Sequence, residues 1–398
     1  MKLKTVKDWP AERLRGKRVL VRADFNVPMN KGKVGEDWRI KAALPTIRHL
    51  SAAGAKIILA SHLGRPSGRR SPALSLRPVA RHLQQLLGKP TRFVAAASGS
   101  KVVRAVRSLR SGDILLLENL RFEAGEGKNS PRFARALADL ADFYVNDAFA
   151  ASHRSAASIV GVQKYLPSAA GLLLAEEIQV LSRLLSNPKK PFLVLIGGVK
   201  IETKIGVISA LARRATRLAI GGALAVPFLK AKGFSVGASP LKKSDVSLAR
   251  RILRSRKSIM LPTDVVVAAS PKSKAFVRRV DEVGPKEIIY DIGPQTIRAF
   301  AAEVKKAETI VWNGPLGLYE ERRFSHGTRA LALVFGARAQ GRAYGVVGGG
   351  ETIDALALAG VLGYIDWVST GGGAMLEFLE GKQLPGIEAL LTRQLAIH

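Results

Sequence analysis

Short apolar segments of strand length alternate with longer helical patterns along almost the whole chain. The apolar segments lie at residues 18–25, 56–62, 113–120, 192–198, 259–267, 308–314 and 343–350. Continuous apolar runs are typical of strands that are buried on both faces of a parallel sheet. The alternation therefore predicts an α/β protein whose parallel sheets are covered by helices on both sides. The 398 residues are enough for two or three domains, so we expect this arrangement twice.

A helical pattern near the middle of the chain indicates a domain boundary. It covers residues 168–187, with Pro167 before it and the pair Asn187-Pro188 at its end. We expect this helix to join two lobes. In parallel sheets of this kind, ligands bind beyond the carboxyl ends of the strands. The residues that follow each apolar run are therefore the candidates for function.

Cysteine is absent, which excludes disulfide scaffolds, thiolate metal sites and cysteine nucleophiles. A reducing cytoplasm suits such a chain. The basic N-terminus lacks the apolar stretch of a signal peptide, and no apolar run is long enough to span a membrane. We expect a cytoplasmic protein that does not bind membranes.

The net charge of +32 has two interpretations. The chain could bind nucleic acid or an anionic membrane, or it could take anionic substrates. The basic residues occur in both halves, and Lys101, Arg104, Arg107 and Arg110 recur at helical spacing, which is more typical of a solvated helix face. Because aromatic residues are not interleaved with this cluster, the stacking surface of a single-strand binder is missing.

Basic side chains follow the predicted strands of the N-terminal half. They are Arg39, His62, Arg65, Arg121, His153 and Arg154. Arginines at the strand ends of one sheet converge on a positive patch, and guanidinium groups bind phosphate and carboxylate bidentately. Asp24 and Asn26 follow the first run, where they could bind hydroxyl groups or could cap their own turn.

Glycine-rich loops and lysines follow the predicted strands of the C-terminal half. Two triple-glycine segments, 348–350 and 371–373, precede helical patterns, and a third loop follows the strand at 192–198. Glycine lets the backbone approach a ligand, and a helix N-terminus offers free N–H groups to phosphate. If a helix begins just after Gly198, Lys200 and Lys204 lie on one face, which opposes the helix dipole unless an anion compensates; a solvated lysine pair is the alternative. The pattern predicts a nucleotide site without a Walker motif, and hence a phosphoryl transferase with Mg²⁺.

Eleven segments resemble the phosphoglycerate kinase family, in its order and at its spacing. They are VRADFNVP (21–28), RIKAALPTI (39–47), SHLGRP (61–66), ENLRF (118–122), NDAFAASHR (146–154), GGVKIETK (197–204), LPTDVV (261–266), DIGPQTI (291–297), WNGPLGLYE (312–320), GGGET (348–352) and STGGGAMLEFLEGKQLPG (369–386).

The resemblance implies two Rossmann-like, doubly wound parallel-sheet lobes and a hinge-bending closure. The phosphoglycerate-binding lobe would cover residues 1–167, the interdomain helix 168–187 and the nucleotide-binding lobe 188–377, with about 378–398 returning to the first lobe. The implied reaction is reversible transfer of a phosphoryl group from 1,3-bisphosphoglycerate to MgADP, giving 3-phosphoglycerate and MgATP. The family also implies a monomer.

The resemblance also implies roles for individual residues. The phosphoglycerate would be bound by Asp24, Asn26, Arg39, His62, Arg65, Arg121 and Arg154. The transferring group would meet Arg39, Lys200 and the helix N-terminus at Gly372. The nucleotide would be bound by Gly198, Val199, Lys204, Gly221, Gly222, Asn313, Pro315, Glu320, Gly349, Gly350, Glu351 and Thr352. Glu351 would also hold the Mg²⁺.

The departures from the family pattern fall mainly on the nucleotide side. Glu351 stands where the family usually has Asp, and Ile289 and Tyr290 replace a usual Gly-Leu pair beside the adenine. Val199 replaces a usual Ala. One alternative is therefore the same fold with an altered nucleotide or metal preference. The other is a basic protein that binds nucleic acid or an anionic surface, although we do not expect nucleic acid as the main ligand.

Overall fold

The computed structural model describes residues 3–255 and 258–395, which form two compact units. The first unit comprises Met1–Gln179 and Gln383–His398, and the second comprises Val180–Lys382. The long helix Leu172–Ser186 carries the chain from the first unit into the second. Along the described residues, no helix is both long enough and apolar enough to cross a membrane.

The first unit contains one parallel sheet and a short hairpin. Its strands are β1 Arg18–Arg22, β2 Met29–Asn30, β3 Lys33–Val34, β4 Lys56–Ala60, β5 Thr91–Val94, β6 Ile114–Leu117, β7 Phe143–Asn146 and β8 Ser168–Ala170. The sheet order is β5-β6-β4-β1-β7-β8 with every pair parallel, while β2 and β3 form the hairpin. Its helices are α1 Ala11–Leu14, α2 Trp38–Ala52, α3 Arg77–Leu87, α4 Ser100–Arg107, α5 Ala124–Gly127, α6 Pro131–Ala138 and the start of α7 Leu172–Ser186.

The central strand β1 shows why continuous apolar runs were needed. Val19 and Val21 pack into one core with residues of α2 and α3, whereas Leu20 packs into a second core with residues of α4 and α6. Because alternate side chains of a strand point to opposite faces, an apolar residue is required at each position when both faces are covered.

The second unit contains a second parallel sheet and a small antiparallel one. Its strands are β9 Phe192–Ile196, β10 Arg217–Ile220, β11 Ile259–Met260, β12 Asp264–Ala268, β13 Phe276–Arg279, β14 Ile288–Ile292, β15 Thr309–Asn313, β16 Tyr344–Gly348 and β17 Trp367–Ser369. The parallel order is β11-β10-β9-β15-β16-β17, and the antiparallel order is β13-β12-β14. Its helices are α8 Ile205–Leu211, α9 Val226–Ala231, α10 Lys243–Ser255, α11 Pro294–Lys306, α12 His326–Ala339, α13 Gly350–Leu358 and α14 Gly373–Glu380.

The predicted fold class is confirmed, because the two units each carry a six-stranded parallel sheet. The apolar run at 259–267 is not one strand, however. Pro262 has no N–H for a ladder and divides the run into β11 of the parallel sheet and β12 of the antiparallel sheet.

The helix predicted at 168–187 begins later than the sequence pattern indicates. Residues Ser168–Ala170 pair with β7 as strand β8, and α7 starts at Leu172. The C-terminal segment of the first unit begins at Gln383 and contains α15, Pro385–Leu395. Gly386 donates its N–H to the Ser152 carbonyl at 2.9 Å, which ties this segment to the first unit. Residues 396–398 of the predicted returning segment lie outside the described residues.

Candidate active site

The loop after β1 holds an ion pair at the carboxyl edge of the first sheet. Arg39, in the first turn of α2, donates from Nη1 to the Asp24 carboxylate, which is only 3% exposed. Burial by itself raises the pKa of Asp24, but the neighbouring groups, of which Arg39 has the largest effect, outweigh it and the pKa is lowered. Asp24 therefore stays ionised and holds the guanidinium of Arg39 in place.

Asn26 joins this ion pair to the next loop of the sheet. Its backbone N–H donates to Asp24 Oδ1 at 3.1 Å, which is the turn-capping contact that the sequence left as one alternative. Its side-chain oxygen accepts the N–H of Gly64 at 2.8 Å. The carbonyl of Gly64 in turn accepts Nη1 of Arg121 at 2.7 Å. Gly64 thus connects the ion pair of Asp24 and Arg39 to Arg121. Its neighbours His62 and Arg65 are among the site residues predicted from the sequence, but Gly64 itself is not.

Three of the predicted arginines line one open cavity of about 450 Å³. Arg65, Arg121 and Arg154 come from the loops after β4, β6 and β7, and Lys128 and Ser67 also face the cavity. Burial lowers the pKa of Arg121 to about 10, and the nearby charges of Arg154 and Arg22 add to that effect. Such crowding of like charges is relieved when an anion enters the cavity.

His62 lies beside the Asp24 group, between that ion pair and the buried end of β1. Its ring is 6% exposed, and Nδ1 is 3.1 Å from Nη2 of Arg22 and 3.8 Å from Asp24 Oδ1. Burial lowers the pKa of His62 well below its usual range, although Asp24 opposes the shift. Arg22 was not among the predicted site residues, because it lies within an apolar run.

In the second unit, Lys204 lies beneath two glycine loops. Its Nζ donates to the Gly197 carbonyl at 2.5 Å and to the Asn313 carbonyl at 3.3 Å, and the residue is 9% exposed. Burial lowers the pKa of Lys204 to about 8, while Glu351 raises it. Gly314 has a φ of +91° and no room for a side chain, because the backbone of Gly197 and the Lys204 amine occupy that space.

The expectation that Lys200 and Lys204 share a helix face is wrong. Helix α8 begins only at Ile205, because backbone hydrogen bonds anchor Gly198, whose φ is +95°, in the loop that precedes it. The Gly198 N–H donates to the Pro315 carbonyl and its own carbonyl accepts the N–H of Leu224, both at 2.8 Å. Lys204 consequently turns inward as the N-cap residue, whereas Lys200 is exposed on the preceding loop.

The loops after β15 and β16 are locked together by side-chain hydrogen bonds. Asn313 Nδ2 donates to the Gly348 carbonyl at 2.7 Å, and Thr352 Oγ1 accepts the N–H of Gly314 at 2.6 Å. Gly349 has a φ of +97° and caps α13, whose first turn contains Gly350 and the exposed Glu351. Gly372 caps α14, which packs beside α8. These loops present helix N-termini at the carboxyl edge of the second sheet.

A second cavity, of about 260 Å³, opens beside these loops. Six predicted nucleotide residues line it: Gly198, Val199, Gly222, Pro315, Glu320 and Glu351. Its other walls include Ile289 and Tyr290, the departures from the family pattern. Leu318, within the quoted segment 312–320 but given no role there, also lines it, as do Pro240 and Ile288, which no sequence motif marked. The other predicted nucleotide residues lie outside this lining: Lys204, Gly221, Asn313, Gly349, Gly350 and Thr352. Of these, Gly221 packs against Leu316, while Asn313 and Thr352 brace the loops.

The carboxylate beside the second cavity suits a metal ion that is also bound by a ligand. No group of three or more histidine, aspartate or glutamate side chains that could hold a metal is found within residues 3–255 and 258–395. Mg²⁺ commonly binds through one or two carboxylates, waters and substrate phosphates. Glu351, exposed at a helix N-terminus beside the cavity, fits that pattern as a single carboxylate.

Comparison with known proteins gives one consistent family. A family model described as phosphoglycerate kinase matches residues 7–382. The chain is 46% identical over 399 residues to the phosphoglycerate kinase of Pelotomaculum thermopropionicum, covering 99% of this chain and 100% of that protein. It is 48% identical over 386 residues to that of Moorella thermoacetica, covering 96% and 98%.

Solved structures agree with this result. The structure of phosphoglycerate kinase from Coxiella burnetii superposes with a TM-score of 0.85 at 40% identity, covering 98% of this chain and 100% of that one. The enzyme from Pyrococcus horikoshii superposes with a TM-score of 0.84 at 33% identity, covering 98% of each chain. These similarities do not favour a protein whose main ligand is nucleic acid.

Proposed function

Because the chain belongs to the phosphoglycerate kinase family, we propose that its first unit binds the phosphoglycerate and its second unit binds the nucleotide. The chain is a phosphotransferase with a carboxyl group as acceptor, and its substrates are 3-phosphoglycerate and ADP or ATP. We also propose that the chain acts as a monomer and takes its nucleotide as the Mg²⁺ complex.

The cavity lined by Arg65, Arg121 and Arg154 is the observation that most supports a phosphoglycerate site in the first unit. Phosphoglycerate has a phosphate at one end, a carboxylate at the other and a hydroxyl group between them. Guanidinium groups from three different loops suit the phosphate. The adjacent Asp24, Asn26, Arg39 and His62 offer both acceptors and donors for the hydroxyl and carboxylate end.

The second cavity supports the nucleotide assignment. Ile288, Ile289, Val199, Pro240 and Leu318 give apolar walls for a base, and Glu320 offers a carboxylate for a ribose hydroxyl. The phosphates would then extend toward Lys204 and the N-terminus of α13, where free N–H groups and the helix dipole favour negative charge.

Glu351 would hold the Mg²⁺ of the nucleotide. When bound, the metal neutralises phosphate charge and keeps the phosphates in one orientation. The side chain of Glu351 lies at the N-terminus of α13 and lines the nucleotide cavity, so it can reach a metal that is also bound by phosphate oxygens.

Transfer of the phosphoryl group requires positioning and positive charge more than acid–base chemistry. The transition state of phosphoryl transfer is loose, and its charge is spread over three equatorial oxygens. Arg39, Lys200 and the N–H groups of α14 after Gly372 would stabilise that charge. The acyl phosphate has a carboxylate leaving group, so no covalent intermediate with the protein is needed.

The assignment is tested by two sets of variants with opposite expectations. Arg154→Ala and Arg65→Ala each remove one charged donor, so KM for 3-phosphoglycerate should rise by about tenfold to a hundredfold while KM for ATP stays unchanged. Leu318→Ala should raise KM for ATP alone. The matched control is Arg135→Ala. Arg135 lies on α6 and forms an exposed ion pair with Asp139, so its loss should change neither KM. Equal effects of Arg154→Ala on both substrates would contradict the assignment.

A further inference from the structure

Arg22, the last residue of β1, is a buried arginine that the proposed reaction does not use. It is 2% exposed, and its three nitrogens each meet a neutral partner. Nε donates to Ser158 Oγ at 2.8 Å, Nη1 donates to the Ala23 carbonyl at 2.5 Å, and Nη2 lies 3.1 Å from His62 Nδ1. Burial of an arginine costs free energy, so these contacts require an explanation.

The contact between Arg22 and His62 determines where the histidine proton is. A guanidinium group has only donors, so Nδ1 of His62 must accept and cannot carry a proton. In a neutral imidazole with an unprotonated Nδ1, the proton is on Nε2. His62 is therefore a donor through Nε2.

The charges around His62 favour its neutral form. Arg22 from β1, Arg121 from the turn after β6 and Arg39 from α2 all oppose protonation, whereas Asp24 after β1 favours it. Asp24 Oδ1 is 3.8 Å from Nδ1, beyond hydrogen-bond distance, and the carboxylate is already paired with Arg39 through Oδ2. Burial adds to the same effect.

A buried chain of hydrogen bonds fixes the guanidinium of Arg22. The Ser158 hydroxyl donates to Glu126 Oε1 at 2.6 Å, so its lone pairs are left to accept Nε of Arg22. Glu126 is 3% exposed and also accepts the Ser158 N–H at 3.0 Å. Glu126 thus compensates the charge of Arg22 through one hydroxyl group, and the direction of each hydrogen bond is consistent with Nη2 donating to His62.

We propose that Arg22 is a positioning residue that holds His62 as the neutral Nε2–H tautomer, so that His62 donates a hydrogen bond to the phosphoglycerate and does not exchange a proton with it. This inference rests on the proposed phosphoglycerate site. The opposite tautomer would present the Nε2 lone pair to an anionic ligand, which is repulsive. A protonated ring would make binding of the acid pH-dependent.

The direct test is nitrogen NMR of protein labelled at histidine, with His62→Gln used to assign the signal. At about pH 7, where an ordinary histidine is partly protonated, we expect Nε2 protonated and Nδ1 unprotonated, with no change down to about pH 6. We also expect 3-phosphoglycerate to shift the Nε2 signal. A protonated Nδ1, or a doubly protonated ring at that pH, overturns the proposal.

The two hypotheses fail in different ways. If 3-phosphoglycerate binds and His62 has the other tautomer, the role of Arg22 is wrong and the proposed function stands. If the tautomer is as expected but 3-phosphoglycerate leaves the signal unmoved, the ligand does not meet His62, and both the donor role and the placement of the substrate fail.

Variants separate positioning from a structural role. Arg22→Met removes the donor and one opposing charge, so the His62 pKa should rise and KM for 3-phosphoglycerate should become pH-dependent, with about a tenfold rise and a smaller change in kcat. Arg22→Lys should restore part of this. Arg18→Met, on the same strand but paired with Asp142 at the surface, is the control. If Arg22→Met does not fold, Ser158→Ala should show the same pH dependence more weakly; an unchanged pH profile in the folded variants would overturn the proposal.

Discussion

The fully buried carboxylate of Asp147 accepts the backbone N–H of Leu173 at 3.0 Å and so ties the end of β7 to the first turn of α7. It also accepts the N–H of Leu174 at 3.3 Å. The chain leaves Asp147 toward the loop that carries Arg154, and it leaves Leu173 along the helix that enters the second unit. One side chain therefore links an element of the candidate substrate site to the connecting helix.

The ionisation of Asp147 should make folding depend on pH. Burial raises its pKa to about 7, and hydrogen bonds from Leu174, Leu173 and Thr46 only partly oppose the shift. The same group in the unfolded chain has an ordinary pKa of about 4. Between about pH 4 and pH 7 the folded state therefore retains a proton that the unfolded state has lost, and stability falls as pH rises through this range.

Asp147→Asn should remove this fall, because the amide oxygen still accepts the helix N–H groups and no charge is buried. The loss in the wild-type protein is on the order of 4 kcal/mol. Thermal unfolding across this pH range measures it. Asp113→Asn is the control. Asp113 is half-buried, and its carboxylate accepts the Arg110 N–H. Parallel pH profiles of Asp147→Asn and wild type would argue against a buried ionisation.

Nucleotide affinity should weaken above about pH 8. Burial lowers the pKa of Lys204 to about 8, so in the free protein the ammonium loses its proton above that value. We expect the ADP phosphates to bind the charged form of Lys204. Each further pH unit should therefore reduce ADP affinity by up to about tenfold, until the pH exceeds the pKa of Lys204 in the ADP complex. Calorimetric titration of ADP between neutral and alkaline pH measures this.

Lys204→Met should abolish that pH step and weaken ADP binding at neutral pH by about tenfold to a hundredfold. The matched control is Lys230→Met on α9, whose exposed side chain lies outside the lining of the nucleotide cavity. An ADP affinity that is independent of pH in the wild-type protein would show that Lys204 does not contact the phosphates.

Glu351 should set the metal requirement of the reaction. Glu351→Gln removes the single carboxylate, so the Mg²⁺ concentration for half-maximal rate should rise by about tenfold. Glu351→Asp keeps the charge on a shorter side chain and should change the preference between Mg²⁺ and Mn²⁺ more than the maximal rate. Steady-state rates across both metal titrations provide the readout.

The neighbouring Glu321→Gln is the control for that series, because Glu321 is exposed and absent from the cavity lining. A Glu351→Gln variant whose Mg²⁺ dependence matches the wild type would place the metal elsewhere.

Replacing one arginine of α4 with glutamate should stabilise the protein. Between Arg39 and Gly112 the chain has fifteen lysines and arginines and no acidic residue. On α4, the exposed Lys101, Arg104 and Arg107 are spaced three apart, which is unfavourable for like charges. Arg104→Glu replaces two repulsions by two attractions and should raise the free energy of unfolding by about 0.5–1 kcal/mol at low salt.

Arg104→Gln removes only the repulsions, and about half of the gain is expected from it. Thermal unfolding at low and high salt distinguishes the two variants, since added salt should shrink the difference between them. A lower melting temperature for Arg104→Glu at low salt would show that this charge has a partner that stabilises it.

The convergence of Arg65, Arg121 and Arg154 on one cavity could be predicted from the sequence because each follows an apolar run. In a parallel sheet the carboxyl ends of the strands lie at one edge, so residues such as Arg65 and Arg121 are neighbours wherever they occur in the chain. Arg22 could not be found in this way. It lies within a strand, and its partners His62 and Ser158, like Glu126 behind Ser158, come from distant segments whose spacing carries no signal.

The orientation of Lys204 was also beyond the sequence. A helix that started just after Gly198 would place both lysines on one face. Backbone hydrogen bonds to Pro315 and Leu224, more than a hundred and more than twenty residues away, anchor Gly198, and the helix begins only at Ile205. The same applies to Pro240, Ile288 and Leu318, which meet at the nucleotide cavity through packing of separate elements.

The sequence alone determined the two parallel sheets and the edge on which chemistry occurs, because strands covered on both faces need apolar residues at every position. It also determined the family, through motifs that keep their order and spacing. Tertiary structure alone decided the direction in which the pKa values of His62, Lys204 and Asp147 shift. Those shifts depend on burial and on charges brought close from remote parts of the chain, and neither is encoded in local spacing.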